Sequence, residues 1–345
     1  MNSIHGGDIY RNKTSYDFSV SLNPLGCPEE ILSAVKKAAD RISEYPDIEQ
    51  ERARVSIADF YGIESGNVLC SNGASELLMA IANMKRPKKA LLTAPSFYGY
   101  EYALNAIAGC EITYHYLLEK DDFRVTKDIL DEIEKAPDIV FLCNPNNPTG
   151  QAIDGELLNQ IIDICEEKDI LLVLDECFQE LSDTAVSMTE RAVKSRNLIL
   201  VKAFTKLFSI PGVRLGFAIA SKEMIDRLRR QLPEWNISVF AEEAVAAACG
   251  MRDHIEKTRA VIGTERKYLL SEFESIGIRA FASDSNFILF KTDEEIFDPL
   301  CQRGILIRDC SNFAGLGKGF YRIGIKEHKC NEELIAKLKE VLHGA

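Results

Sequence analysis

The middle of the chain alternates short, continuous apolar runs with stretches whose apolar residues recur at helical spacing, which predicts strands joined by crossover helices in a largely parallel sheet. Candidate strands are Ala90–Thr93, Ile112–Leu117, Ile139–Cys143, Ile170–Leu174, Leu198–Val201 and Gly216–Ala220. Between them, Leu157, Ile161, Ile162 and Cys165 share one face of a helix over Glu156–Glu167, and Ser221 stands where it could cap a helix over Lys222–Gln231. The pattern changes after Pro233. Helices are predicted over Val239–Cys249 and His254–Ser275, strands near Phe287–Phe290 and Tyr321–Ile325, and a last helix capped by Asn331. Up to about Asp40 there is one helix, Glu29–Ala39, and no evident core, so this segment is expected to pack on the carboxyl-terminal unit or on a partner subunit. The expected fold is therefore α/β, with a large domain over 41–245 and a smaller α+β domain built from 1–40 and 246–345.

Length and composition leave room for such a pair of units. The chain has 345 residues, 46% of them hydrophobic, enough for a sizeable core. Its net charge of −12 argues against a general nucleic-acid or anionic-membrane binder. The ten cysteines form no CxxC pair and no tight Cys/His cluster, which disfavours a zinc site, and no metal ligand set is assigned. The opening Met1-Asn-Ser-Ile-His-Gly-Gly7 has no apolar leader and no run approaches roughly 18 apolar residues, so a cytoplasmic location is expected.

The residue types that carry chemistry fall at the ends of the inferred strands, where ligands of open parallel sheets collect. Ser71-Asn-Gly-Ala-Ser-Glu76 joins a strand ending near Cys70 to a helix, so the backbone N–H groups of Ala74 and Ser75 and the Ser75 hydroxyl could hold an anion; a plain helix cap is the competing reading. In Pro95-Ser-Phe-Tyr-Gly-Tyr100, Phe97 could stack on a flat ring with Tyr100 behind it, or both could be core aromatics. Asn144-Pro-Asn-Asn-Pro-Thr-Gly150 makes a stiff loop in which Asn147 could donate to a phenolate oxygen. Asp175 ends a buried strand and needs a cationic partner, such as a protonated pyridine nitrogen, unless it merely caps a helix. Finally, Ala203-Phe-Thr-Lys206 follows a strand, with Arg214 beyond a turn. That pairing suits an amine that bonds a phosphorylated aldehyde, with a planar cation for the phosphate.

In order and spacing these motifs resemble the fold-type I pyridoxal-phosphate enzymes, the aspartate aminotransferase-like superfamily with its class I/II aminotransferase pattern, over nearly the whole chain. Asn144-Pro-Asn-Asn-Pro-Thr-Gly150 and Glu44-Tyr-Pro-Asp47 resemble the histidinol-phosphate aminotransferase branch. A closer resemblance, to the threonine-phosphate decarboxylases, rests on His5-Gly-Gly7, Asp17-Phe-Ser-Val-Ser-Leu-Asn-Pro-Leu-Gly26, Thr205-Lys206 with Ile210-Pro-Gly212, Leu232-Pro-Glu-Trp-Asn236 and Ile307-Arg-Asp-Cys-Ser-Asn-Phe-Ala-Gly-Leu316. The resemblance implies pyridoxal 5'-phosphate as cofactor, Lys206 as Schiff-base lysine and proton shuttle, Asp175 as pyridinium partner, Asn147 as donor to the ring oxygen and Phe97 as the stacking ring. It implies that Ala74, Ser75 and Arg214 hold the cofactor phosphate, and that Tyr45 reaches it from the other subunit of a homodimer. Arg322 would bind the substrate's acidic group with Asn23 nearby, and His5 and Arg308 would take a second anion, the phosphate of a phosphorylated amine.

Two positions depart from the family pattern. Ala203 stands where a Ser or Thr usually binds the cofactor phosphate, a charged hydrogen bond worth roughly 1.5–3 kcal/mol, for which Thr205 or a water is the expected substitute. Phe178 stands where a tyrosine commonly meets the ring oxygen. Both departures weigh more against an ordinary aminotransferase than against cofactor binding. The expected activity is decarboxylation of a phosphorylated amino acid, with transamination as the alternative; a non-enzymatic pyridoxal-phosphate-binding domain is set against by the presence of both Lys206 and Arg322.

Overall fold

The computed structural model describes residues 5–343; Met1–Ile4, part of the segment read above for a leader, lie outside it. The strands, in chain order, are β1 (Tyr16–Asp17), β2 (Val68–Ser71), β3 (Lys89–Ala94), β4 (Glu111–Tyr116), β5 (Ile139–Cys143), β6 (Leu171–Asp175), β7 (Leu198–Lys202), β8 (Gly216–Ile219), β9 (Arg279–Ala280), β10 (Phe287–Lys291), β11 (Ile305–Leu306), β12 (Arg308–Asp309) and β13 (Phe320–Gly324). A seven-stranded sheet has the order β2-β8-β7-β6-β5-β3-β4. All its strands run the same way except β8, which is antiparallel to both neighbours. The strand omitted from the periodicity list is β2, at the sheet edge.

The central strands β5, β6 and β7 are buried along their whole length, as a sheet covered by helices on both faces requires. Two apolar clusters lie on its two faces, one around Ile57, Leu158, Leu172 and Phe217, the other around Leu78, Phe141, Val173 and Ile225. The connecting helices follow the periodicity closely, with Gly155–Glu167 capped by Asp154, whose carboxylate accepts from the N–H groups of Glu156 and Leu157. Ser221 does occupy the cap position of Lys222–Arg229, but its buried hydroxyl makes no hydrogen bond.

The carboxyl-terminal part forms a four-stranded antiparallel sheet, β12-β13-β10-β9. The long helix Arg252–Ser275 packs on the last helix, His328–His343, and buries Ile255, Thr258, Ile262, Glu265, Leu269 and Phe273, a single stripe at helical spacing. Asn331 lies inside the last helix rather than at its cap; its side chain bonds the Lys326 backbone and Glu265. The amino-terminal segment spreads over both parts. Its β1 pairs in parallel with β11 and Phe18 is fully buried, whereas its helix Glu29–Ala38 packs on Val239–Ala248.

Candidate active site

One end of the large sheet gathers the motifs. Strands β2, β3, β5, β6 and β7 all point their carboxyl ends there, and antiparallel β8 starts there, so the residues just after or before them converge. The small sheet and the amino-terminal segment close the space from the other side. Between them is a cavity of about 310 Å³, lined by residues that include Ala74, Ser75, Phe97, Asn147, Asp175, Thr205, Lys206, Arg214, His5, Arg308 and Arg322. That volume falls within the roughly 300–1,000 Å³ of small-molecule sites.

Lys206 lies in a single helical turn, Phe204–Leu207, directly after β7. Burial lowers its pKa below the ordinary lysine value; Arg322 and Arg214 push the same way, and Cys177 and Asp175 oppose them. A lysine amine so placed is a better nucleophile at neutral pH. Asp175, the last residue of β6, is nearly buried and held at both oxygens: the Tyr100 hydroxyl donates to Oδ2 at 2.7 Å and the Cys177 N–H to Oδ1 at 2.9 Å. Tyr100 meets Phe97 edge-on at 5.6 Å between ring centroids, as the sequence reading placed it, and also stacks on Phe141 at 5.3 Å while its hydroxyl holds this carboxylate.

Glycines shape the space around these groups. The helix Ala74–Lys85 starts at Gly73, whose φ is +78°; a Cβ there would meet an Arg214 guanidinium nitrogen at 2.5 Å. The first N–H groups of that helix, those of Ala74 and Ser75, lack intrahelical acceptors and share their end of the cavity with Arg214. A Cβ on Gly99 would strike the Phe97 ring at 2.3 Å, and one on Gly216 the Ala74 nitrogen at 2.5 Å. These positions were not singled out in the sequence reading, although each glycine sits in or beside a motif quoted above.

The cationic side of the cavity comes from the small sheet. Arg308 on β12 and Arg322 on β13 are register partners, so their side chains leave the same face of the sheet. Arg322 donates to Asn147 Oδ1 and, at 2.8 Å, to the Ser19 carbonyl, while its Nε has no hydrogen-bond partner; burial pulls its pKa down to about 10. Arg308 donates to the Asp309 carbonyl and to Asn312 at 2.8 Å and lies over the Phe313 ring. His5 stands 5.8 Å from Phe97 between ring centroids, its pKa lowered by burial and then by Arg308, Lys206 and Arg322.

Asn23 and Tyr45 do not line this cavity. Asn23 is buried outside the cavity lining, its amide committed to Leu207 and Thr258. Tyr45 is 81% exposed and packs on Trp235, away from this cavity within its own chain. The departures at Ala203 and Phe178 both line the cavity. Thr205 directs its hydroxyl to the Leu215 carbonyl at 3.3 Å, and Phe178 packs edge-on against Phe287.

The sequence model of "Aminotransferase class I and II" matches residues 13–338. The chain belongs to that family. A Caldanaerobacter subterraneus protein named "Putative threonine-phosphate decarboxylase" is 38% identical over 97% of this chain and 93% of its own. The threonine-phosphate decarboxylase of Salmonella typhimurium is 31% identical over 100% of this chain and 98% of its own. Among solved structures, the histidinol-phosphate aminotransferase from Clostridium acetobutylicum superimposes with a TM-score of 0.88 at 30% identity, covering 96% of this chain and all of that one. The family member described here is thus an enzyme that uses pyridoxal phosphate, with the aspartate aminotransferase-like fold. Its cavity suits that cofactor: the gap a Gly73 Cβ would fill lets Arg214 lie over a helix N-terminus, and an amine of lowered basicity faces a fixed carboxylate. Among the described residues no helix is long and apolar enough to cross a membrane, and no group of three or more His, Cys, Asp or Glu could hold a metal ion.

Proposed function

We propose that the enzyme decarboxylates a phosphorylated amino acid, with threonine phosphate as its substrate. The carrying observation is the register pairing of Arg308 and Arg322 in one cavity with His5 beside them. Guanidinium groups opposed in a ladder repel, and together they favour a ligand with two separate anionic groups, a carboxylate and a phosphate. The threonine-phosphate decarboxylases among the relatives support the same reading.

In this proposal Lys206 bonds the cofactor and later returns a proton to the substrate's Cα. The N–H groups of Ala74 and Ser75, with Arg214, hold the cofactor phosphate, and Thr205 lies against it. Asp175, fixed by Tyr100 and Cys177, would keep a proton on the cofactor's ring nitrogen, and Phe97 and Asn147, which line the same cavity, would hold the ring and its oxygen. Pyridoxal phosphate, when bound, supplies the electron sink for charge that develops at Cα. Arg322 takes the carboxylate, and Arg308 with His5 takes the phosphate. Where those cations hold the acid groups would decide which bond at Cα is oriented to break. The walls Val20, Phe97, Phe178 and Phe313 limit water around it.

Transamination is the second reading, supported by histidinol-phosphate aminotransferases such as that of Archaeoglobus fulgidus, 30% identical over 96% of this chain and 94% of its own. Mixing the holoenzyme with threonine phosphate, and separately with histidinol phosphate, decides between them. Release of CO₂ with the cofactor staying in its aldehyde form supports decarboxylation; stoichiometric pyridoxamine phosphate with either substrate overturns it. The proposal extends to a biosynthetic, cytoplasmic homodimer in which Tyr45 reaches the partner's site, and to the division into a large unit, 41–245, and a small one from 1–40 and 246–345.

A further inference from the structure

The turn that carries Lys206 is too short to satisfy itself. A helix of four residues leaves carbonyls at its end with no following turn to donate to them, and buried carbonyls need donors. Part of the supply is local: Phe208 N–H donates to Phe204, Ile210 N–H to Thr205 and Ser209 N–H, at 3.4 Å, to Lys206. The rest comes from Asn23, far away in sequence. Its main-chain N–H donates to the Lys206 carbonyl at 3.0 Å and its side-chain Nδ2 to the Leu207 carbonyl at 2.6 Å. Its own carbonyl accepts from the Ser209 hydroxyl at 3.0 Å, so three bonds join this residue to the lysine turn and to Ser209, two residues beyond it.

Asn23 is itself held firmly. Oδ1 accepts from Leu25 N–H at 2.8 Å, and its carbonyl also accepts from Gly26 N–H, closing the turn Asn23-Pro-Leu-Gly26 in which Pro24 is stiff and Gly26 takes a φ of +74°. An acceptor-only carbonyl on one side and a donor-only N–H on the other settle which way the amide faces. The second hydrogen of Nδ2 points to Thr258 Oγ1 at 2.8 Å, with His254 Nε2 at 3.2 Å, which ties the assembly to the long helix.

We propose that Asn23 is a positioning residue for Lys206: by capping the carbonyls of Lys206 and Leu207 it fixes the direction in which the lysine side chain leaves its turn. Asparagine suits the task because it brings a second donor at the reach of one side chain, while its main-chain N–H supplies the first. This inference rests on the reading that Lys206 bonds the cofactor, and the test keeps the two apart.

The experiment follows the lysine-dependent visible absorbance band of the purified holoenzyme against pH, together with cofactor retained after dialysis. In Asn23→Ala the midpoint of the band's titration is expected to move by about half a pH unit or more, since one unit corresponds to only about 1.4 kcal/mol, and cofactor is lost faster. Thr258→Val, which breaks only the tie to the long helix, is expected to keep the wild-type midpoint. An Asn23→Ala protein with wild-type midpoint and retention overturns the inference, as does a Thr258→Val protein with the same shift as Asn23→Ala, because the effect then comes from domain packing. Should Asn23→Ala fail to fold, Asn23→Ser, whose shorter side chain no longer reaches the Leu207 carbonyl but can still accept from Leu25 N–H, carries the test, and an unmoved midpoint there overturns it. A wild-type band that survives Lys206→Ala removes the lysine reading itself.

Discussion

Arg308 and Arg322 face each other as register partners on adjacent antiparallel strands, and both line the cavity that holds Lys206 and Asp175. Burial depresses the pKa of both, and Arg308 adds to the depression at Arg322. A ligand with two anionic groups, as proposed above, would oppose that depression.

Removing either cation should therefore weaken substrate more than cofactor. Arg322→Ala or Arg308→Ala loses charged hydrogen bonds worth about 1.5–3 kcal/mol, which corresponds to an increase of roughly 10- to 150-fold in KM for threonine phosphate. Steady-state kinetics and cofactor titration separate the effects. A variant with unchanged KM and a lost cofactor would place the arginines on the wrong ligand.

If His5 meets the substrate phosphate as proposed, substrate binding should depend on pH. Burial, and then the nearby cations, lower its pKa from the ordinary histidine value. A bound phosphate favours the imidazolium and raises that pKa, and the complex takes up a proton. Affinity then grows as pH falls through the window between the complex's pKa and the free enzyme's, and levels off below the latter. Calorimetry in buffers of different ionisation enthalpy should record an uptake that His5→Gln diminishes; equal uptake in both proteins would show that His5 does not meet the anion.

Gly73→Ala tests the cofactor cradle. A Cβ would press on Arg214 at 2.5 Å from a backbone at φ +78°, so the guanidinium must move and the turn is strained. The expected result is a tenfold or greater loss of pyridoxal phosphate affinity, with about 1 kcal/mol of lost stability from the left-handed conformation. Fluorescence titration of the apoenzyme measures it, and unchanged affinity would remove Arg214 from the phosphate site.

Behind the cavity, Lys202 at the end of β7 is fully buried between Glu176 at 2.8 Å and Glu180 at 2.7 Å, and Glu180 also accepts from the Tyr61 hydroxyl at 2.6 Å. Burial would lower the pKa of this lysine, but the two carboxylates outweigh it and hold it above its ordinary value. Lys202→Met strands two buried carboxylates and should cost about 3–5 kcal/mol in urea unfolding, whereas Lys202→Met with Glu176→Gln should cost less. Equal losses in both would show that the charges are not coupled. Because Glu176 follows Asp175 and Lys202 precedes the Lys206 turn, this pair also joins the two loops on which the chemistry depends.

The sheet and its cofactor-facing end were legible because both are local in the chain. Buried strands read as apolar runs, and the residues after each strand fall at one end once the crossovers are parallel. Strand β2 was legible only through the motif at its end, since four buried residues at a sheet edge carry too little periodicity. Ser221 stands at the expected cap position without bonding a helix N–H, and Asn331 lies inside its helix with its side chain on Lys326 and Glu265, because residue type shows where a cap could form and says nothing of where the side chain turns.

By its own order of residues the chain determines the parallel strands, the lysine after β7, the aspartate at the end of β6 and the asparagine-rich loop after β5, since each depends on neighbours a few positions away. Only the tertiary structure decides that Arg308 opposes Arg322, that Tyr100 donates to Asp175, and that Asn23 donates to the carbonyls of Lys206 and Leu207. The physical reason is the range of the contact. A side chain's donors and acceptors are set by its type, but its partner is set by which distant segment folding brings within hydrogen-bond reach.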